Sequence, residues 1–167
     1  MYELSLIFAL CFIGIFTLIA GIGGAPSVPS PKKVSEKMVK LMGVKKGRIY
    51  YDMGAGDARI INAVAKKDGL GIGFEYTPPT FLLAKFKARK YKNSVVLWKN
   101  FYKESVSKAT GIFCFLSPKA MTKLEKKFQT ELNFGSTVIS YAFNLPNKKP
   151  NKIIKYKNYA PIYIYKY

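Results

Sequence analysis

A glycine-containing turn flanked by acidic residues is the strongest candidate for ligand chemistry in this 167-residue chain. The turn Asp52–Arg59 reads DMGAGDAR, and it follows a predicted strand and opens a predicted helix. Gly54 and Gly56 allow the backbone to approach a ligand closely. Glu75 ends the next predicted strand, where its carboxylate can accept both hydrogen bonds of a ribose diol. Together the turn and Glu75 predict a nucleoside-type cofactor.

The charges beside the turn narrow the choice of cofactor. A dinucleotide-binding turn has a third glycine that lets the helix pack closely, and it presents a helix N-terminus to a pyrophosphate. Here that position is Arg59. Asp52 and Asp57 are unfavourable beside a pyrophosphate, but they suit a ligand that carries a sulfonium and an ammonium. A glycine turn with solvated carboxylates and no ligand is the alternative.

The elements around the turn alternate between strands and helices. Apolar runs predict strands over residues 48–53, 71–75, 95–98, 111–116 and 137–143, and helical spacing predicts helices over 32–42, 59–66, 79–91 and 118–132. This alternation is typical of a parallel sheet covered by helices. The last two runs, 153–156 and 162–166, have no helix between them and should pair as an antiparallel hairpin, giving seven strands.

Composition excludes several kinds of chemistry. The chain has no histidine, which makes a catalytic triad or a zinc site improbable, and Cys11 and Cys114 have neither the spacing nor the setting of a disulfide or a metal site. We therefore expect no metal. The formal charge of +19 favours contact with anionic lipid or, less strongly, with nucleic acid, although it can equally serve solubility alone.

The N-terminal segment has the length and composition of a membrane anchor. Residues 4–25 are uncharged, and a helix of that length would be roughly 33 Å long, enough to cross a bilayer. A cleaved signal peptide is the alternative, but it usually begins with positive charge. Lysines follow the segment and none precedes it, which predicts a single-pass protein with its catalytic domain in the cytoplasm. The expected domains are an anchor at 1–25 and a catalytic domain at 26–167.

Several short motifs resemble a known family. They are 26–31 (PSVPSP), 51–60 (YDMGAGDARI), 73–75 (GFE), 100–101 (NF), 115–118 (FLSP) and 138–143 (VISYAF). These motifs are similar to those of small seven-strand protein-lysine methyltransferases. That family includes archaeal broad-specificity enzymes and membrane-anchored mitochondrial enzymes that act on the c-subunit of ATP synthase and on adenine nucleotide translocase. The resemblance implies a Rossmann-like class I methyltransferase fold, S-adenosylmethionine as cofactor and a protein lysine at or near a membrane as substrate.

The resemblance also assigns cofactor-binding residues. In the family the glycine turn and the acid that ends strand two bind S-adenosylmethionine, and residues after strand three flank the adenine. Carried over, these are Gly54, Gly56, Glu75, Asn100 and Phe101, and the charge argument adds Asp52 and Asp57. Two positions depart from the family pattern: Ala58 replaces the usual third glycine, and Asn100 stands where many relatives have Asp.

Aromatic side chains at strand ends are candidates for a pocket that receives the lysine amine. They are Tyr76, Phe101, Tyr102, Tyr141 and Phe143. Such a pocket would position the amine and favour its neutral form, because burial disfavours an ammonium. For each aromatic, ordinary packing is the alternative. The sequence identifies no catalytic base.

Three other functions remain open at this stage. RNA methylation would use the positive charge, small-molecule methylation would use the same fold, and a non-catalytic membrane-tethered module would bind without turnover. Enzymes that methylate the amino group of a base have Asn or Asp followed by Pro-Pro and an aromatic after strand four. Here residues 116–119 read LSPK, which lacks the amide or carboxylate that would hold the base.

Overall fold

The computed structural model describes Ile7 and residues 29–167. Seven strands form one mixed sheet. They are β1 (Ile49–Met53), β2 (Leu70–Glu75), β3 (Ser94–Trp98), β4 (Gly111–Cys114), β5 (Thr137–Tyr141), β6 (Lys152–Tyr156) and β7 (Tyr159–Lys166). Their order across the sheet is β3-β2-β1-β4-β5-β7-β6.

Within residues 29–167, four helices cover this sheet. They are α1 (Lys32–Met42), α2 (Arg59–Ala65), α3 (Pro78–Ala88) and α4 (Pro118–Glu131). The amphipathic spacing of α1 buries Val34, Met38 and Val39. The left-handed Gly43 (φ 63°) ends α1, as expected for a helix C-terminus. Pro118 begins α4 after Ser117, whose side chain accepts a hydrogen bond from the Ala120 N–H.

The first five strands are parallel and the last two are antiparallel. β1 lies between β2 and β4, in parallel register with each, and β5 continues the parallel set beside β4. β7 then pairs antiparallel with both β5 and β6. The seven-stranded sheet with a C-terminal antiparallel hairpin, predicted from the sequence, is therefore confirmed.

The two faces of the sheet carry separate cores. On one face α4 packs Met121, Leu124 and Phe128 against β1, β4 and β5. On the other face α1 and α2 cover β1, β4 and β5, and α3 contributes Ala84 and Ala88 to a smaller cluster beside β3. Burial of these apolar side chains stabilises both faces.

Three predicted strand boundaries need correction. β4 ends at Cys114 and β5 at Tyr141, each two residues before the predicted end, and Ala142 takes a left-handed conformation (φ 68°) that turns the chain away from the sheet. β7 begins at Tyr159 instead of residue 162. Asn158 (φ 70°) explains this, because a left-handed Asn closes a short hairpin connection.

The predicted single-pass membrane topology is wrong on this structure. Across Ile7 and residues 29–167, no helix combines the length and apolar character needed to cross a bilayer. The predicted anchor, residues 4–25, lies outside the described residues except for Ile7.

Candidate functional site

The glycine turn lies at the point where the strand order of the sheet reverses. β2 and β3 are on one side of β1, and β4 and β5 are on the other. In open parallel sheets, the crevice outside the carboxyl ends of the strands at this position is where ligands bind. The turn Gly54–Ala58 leaves the carboxyl end of β1, and Leu116 follows β4 on the adjacent side of the crevice.

The backbone of the turn is held against β2, and the turn is exposed at Gly54. The N–H groups of Gly54 and Ala55 donate to the Phe74 carbonyl at 3.1 and 2.8 Å. Gly54 (φ 107°) has a conformation that side chains disfavour, and a Cβ there would lie 3.4 Å from Leu116 Cδ2. Gly54 is exposed, so its backbone is accessible to a ligand.

Glu75 is fixed by three backbone donors. Its Oε2 accepts the Gly56 N–H at 3.1 Å, and its Oε1 accepts the N–H groups of Tyr76 and Thr77 at 3.0 and 2.9 Å. Glu75 is only 7% exposed. A carboxylate has about four acceptor positions, so these three bonds leave capacity for a ligand hydroxyl. The structure thus connects Glu75 directly to the glycine turn.

Asp52 adds a buried carboxyl group to this end of the sheet, near Glu75 and Asp57. Its side chain is buried near the end of β1. Burial raises its pKa well above the ordinary value, and the negative charges of Glu75 and Asp57 raise it further. Three of the nine acidic residues therefore influence one another here, in a chain of net charge +19. A cationic ligand would relieve this repulsion.

Asp57, a predicted cofactor-binding residue, is paired with two cationic side chains. Its carboxylate forms ion pairs with Arg59 at 2.7 Å and with Lys87 at 2.9 Å. Partial burial alone would raise the pKa of Asp57, but the hydrogen bonds from Arg59 and Lys87 lower it to about 2. Arg59 also donates to the Ser30 carbonyl. The ion pair with Lys87 therefore connects the turn to α3. Arg59 connects it to the segment that precedes α1.

Asn100 and Phe101 lie in the loop that follows β3. The Asn100 Oδ1 accepts the Tyr102 N–H at 3.0 Å, which shapes this loop. The rings of Phe101 and Tyr102 are in contact, with centroids 4.4 Å apart, and both pack against the core on the α4 side of the sheet. Burial raises the pKa of Tyr102, and the nearby Cys114 thiol raises it further, so this phenol stays neutral.

The structure does not gather all five predicted pocket aromatics. Tyr141 packs against Phe115 at 4.8 Å, in the core on the opposite face from Phe101 and Tyr102. Tyr76 is 60% exposed and Phe143 is 37% exposed. Only Phe101 and Tyr102 form a ring contact with each other among the five.

One pair of aromatic residues was missed by the sequence reasoning. Trp98 ends β3, donates its Nε1–H to the Tyr76 carbonyl at 3.0 Å, and stacks on Phe81 of α3 at 5.9 Å. These contacts connect the loops after β2 and β3 beside Glu75. The sequence signal was available, since Trp98 is the only tryptophan and stands at a predicted strand end.

No metal centre is found in the part of the chain that the structure describes. Within residues 29–167 there is no group of three or more Cys, Asp or Glu side chains arranged to hold an ion. The Glu75 carboxylate is bonded to backbone amides, and the Asp57 carboxylate to cationic side chains.

Comparison with known proteins gives a family match that includes the site. The model of the ANTKMT methyltransferase domain matches residues 52–152. A protein-lysine N-methyltransferase of Saccharolobus islandicus is 31% identical over 135 residues, covering 78% of this chain and 84% of the relative. A lysine N-methyltransferase of Xenopus laevis, named for the c-subunit of ATP synthase, is 33% identical over 133 residues. That alignment spans 77% of this chain but 58% of the longer Xenopus protein.

A solved structure supports the same fold. The RNA methyltransferase from Salinibacter ruber, crystallised with S-adenosyl-L-homocysteine, superposes with a TM-score of 0.78. It is 25% identical, and the match covers 83% of this chain and 93% of that one.

Proposed function

This chain belongs to the ANTKMT methyltransferase domain family and is an S-adenosylmethionine-dependent methyltransferase, and we propose that it methylates the side-chain amine of protein lysine. The observation that carries the choice of lysine is the match to the Saccharolobus islandicus enzyme, of which this chain covers 84%. The Xenopus relative is considerably longer than the matched region, so its particular substrate is not carried over. We also propose that the catalytic domain spans residues 26–167.

The carboxyl edge of β1 and β2 fits the cofactor. Gly54 and Gly56 would lie against it, Glu75 would accept hydrogen bonds from its ribose, and the negative charge around Asp52 suits a group that carries a sulfonium and an ammonium. Asn100 and Phe101 would flank the adenine. Asp57, already paired with two cations, would act by holding the turn in place. When bound, S-adenosylmethionine supplies a methyl group already activated for transfer.

The protein's part in such a reaction is mainly to position a neutral amine. A lysine has an ordinary pKa of about 10.4, and removal of its amine from water favours the neutral form. Tyr102 lies next to Phe101 in the loop after β3 and is partly buried against the core, and its neutral phenol could contact the amine there. The chain has no histidine, so proton removal would rely on solvent.

A labelling experiment tests the proposal. The full chain is incubated with tritiated S-adenosylmethionine and a cell extract of its own source, and the products are digested separately with nuclease and protease. We expect label that survives nuclease and is recovered as methyl-lysine. Glu75→Gln should abolish most of the label, whereas Glu36→Gln, which removes the same charge from an exposed position on α1, should not. Label that appears equally with both variants would contradict the proposed site.

RNA methylation is the second candidate, favoured by the similarity to the Salinibacter ruber enzyme and by the charge of +19. The same experiment separates the two functions, because label in RNA is lost on nuclease digestion. The segment Leu116–Lys119 has no amide or carboxylate to hold a base amino group, which argues against one class of RNA target.

A further inference from the structure

A second cavity lies at the opposite end of the sheet from the glycine turn. It has a volume of about 460 Å³ and is formed by three loops that enter β1, β4 and β5 at their amino ends, together with the end of β7. A five-residue strand is roughly 16 Å long, so this cavity is separated from the carboxyl edge by the length of the sheet. It is therefore not part of the methyl-transfer site.

The lining of this cavity is cationic. Lys45, Arg48, Lys108 and Lys166 line it, and no Asp or Glu does. The ion pairs formed within residues 29–167 use other cations, such as Arg59 and Lys127. Four positive groups around one cavity repel one another, and an anion bound among them would relieve that repulsion.

Among the four cations, Arg48 points most clearly to a phosphate ligand. The chain has 28 basic residues, and only Arg48, Arg59 and Arg89 among them are arginines. Arg59 pairs with Asp57, and Arg89 lies over the Phe86 ring at 4.1 Å. Arg48 instead lines the cavity, where its planar guanidinium can bind two oxygens of a phosphate at once.

The cavity is already shaped by hydrogen bonds between its loops. The Tyr50 hydroxyl accepts the Lys45 N–H at 2.8 Å, and Asn133 Nδ2 donates to the Ser107 carbonyl at 2.7 Å. Ser136 Oγ donates to the Ala109 carbonyl at 2.8 Å. Because these bonds order the loops before any ligand arrives, binding would require little further loss of conformational entropy.

An aromatic ring stands at the edge of this cationic cavity. Phe134 lines it and is fully exposed, which is unusual for a large apolar side chain. An exposed aromatic face next to phosphate-binding cations is the combination that holds a base and its phosphates together. We propose that this cavity is a binding site for a nucleoside polyphosphate, with the phosphates among the four cations and the base on Phe134. The proposal is independent of which substrate is methylated.

Calorimetric titration of the full chain tests this proposal. S-adenosylhomocysteine is kept saturating so that the cofactor site is blocked, and ATP, pyrophosphate and adenosine are compared at constant ionic strength. We expect ATP and pyrophosphate to bind and adenosine not to bind. Arg48→Gln/Lys108→Gln should weaken both by about tenfold or more, since it removes two charged contacts.

Matched control variants distinguish specific binding in the cavity from nonspecific attraction to the positive charge of the protein. Lys119→Gln/Lys126→Gln removes two charges from exposed positions on α4 and should change the affinity less than about twofold. Phe134→Ala should weaken ATP severalfold and leave pyrophosphate unchanged. Circular dichroism checks that every variant is folded.

The proposal would be overturned by absence of pyrophosphate binding, by an equal loss of affinity in the control pair, or by no effect of Phe134→Ala on ATP binding. Binding of single-stranded RNA that depends on Arg48 and Lys108, without binding of ATP, would also overturn it and would assign the surface to RNA.

Discussion

Replacing Glu75 by Gln is the most direct test of how this site holds its cofactor. The substitution keeps the shape of the side chain but replaces one carboxylate oxygen with an NH₂ group. In the native protein Oε1 serves two backbone donors and Oε2 serves the Gly56 N–H. If the amide oxygen keeps the two donors, the NH₂ group faces the Gly56 N–H, and two donors then oppose each other.

The size of the effect follows from these contacts. A buried N–H left without an acceptor costs about 1–3 kcal/mol, and a ligand hydroxyl loses a charge-assisted partner of similar strength. Stability should fall less than affinity, because removing the Glu75 charge also relieves its repulsion with buried Asp52. We expect cofactor affinity to fall by about 1–3 kcal/mol, which is about five- to 150-fold in Kd.

Calorimetry with S-adenosylmethionine measures the affinity, and urea unfolding measures the stability of the same samples. Glu36→Gln serves as the control, since Glu36 is exposed on α1 and its loss removes the same charge. A folded Glu75→Gln variant that binds the cofactor within twofold of the native protein would refute this account of the site. A fall in affinity no larger than that of the control would refute it equally.

Three further substitutions test individual contacts. Asp52→Asn should stabilise the cofactor-free protein at pH 7, because the pKa of Asp52 is raised in the folded state. Thermal unfolding at several pH values should show that this gain disappears below about pH 4, where the carboxyl is protonated in the unfolded state as well. Asp57→Asn should lower the stability by about 1–2 kcal/mol at pH 7, because the ion pairs hold the pKa of Asp57 at about 2, below its ordinary value. Urea unfolding at several pH values should show that the native protein loses this contribution as the pH falls from about 4 through 2. Gly73→Ala should cost about 1–3 kcal/mol, because a Cβ there would lie 2.6 Å from the Ala55 Cβ, and adding Ala55→Gly should recover much of the loss in a double-mutant cycle.

Local sequence signals were enough to predict most of the fold. The apolar spacing of α1 predicted its bounds, Lys32–Met42, without error, and Pro118 marked the start of α4. The sequence also placed the glycine turn and Glu75 at the ends of successive strands, and the parallel pairing of β1 with β2 brings these ends together at one edge of the sheet. These features depend on periodicity and on a few residues with special backbone preferences.

Side-chain contacts between distant segments were harder to predict. Asp57 is predicted to bind the cofactor, but its hydrogen bond with Lys87, thirty residues away, could not be predicted from the sequence. Tyr141 was expected in the aromatic pocket, yet it packs with Ile139 in one core while Phe101 packs in the other. The two-residue alternation along β5 contained this information, since Ile139 and Tyr141 must share a face.

The two ends of the parallel sheet carry side chains of opposite charge. At the carboxyl end, Asp52, Asp57 and Glu75 gather in a chain that is otherwise strongly positive. At the amino end, cations such as Arg48 and Lys108 line a cavity with no carboxylate. The cations at the amino end are exposed, so salt limits the reach of their field to about 10 Å at ordinary ionic strength, which is shorter than the strands that separate the two ends. Electrostatics alone should therefore let each end select its ligand independently, and any measured coupling between them would have to pass through the packing of β1 and β4.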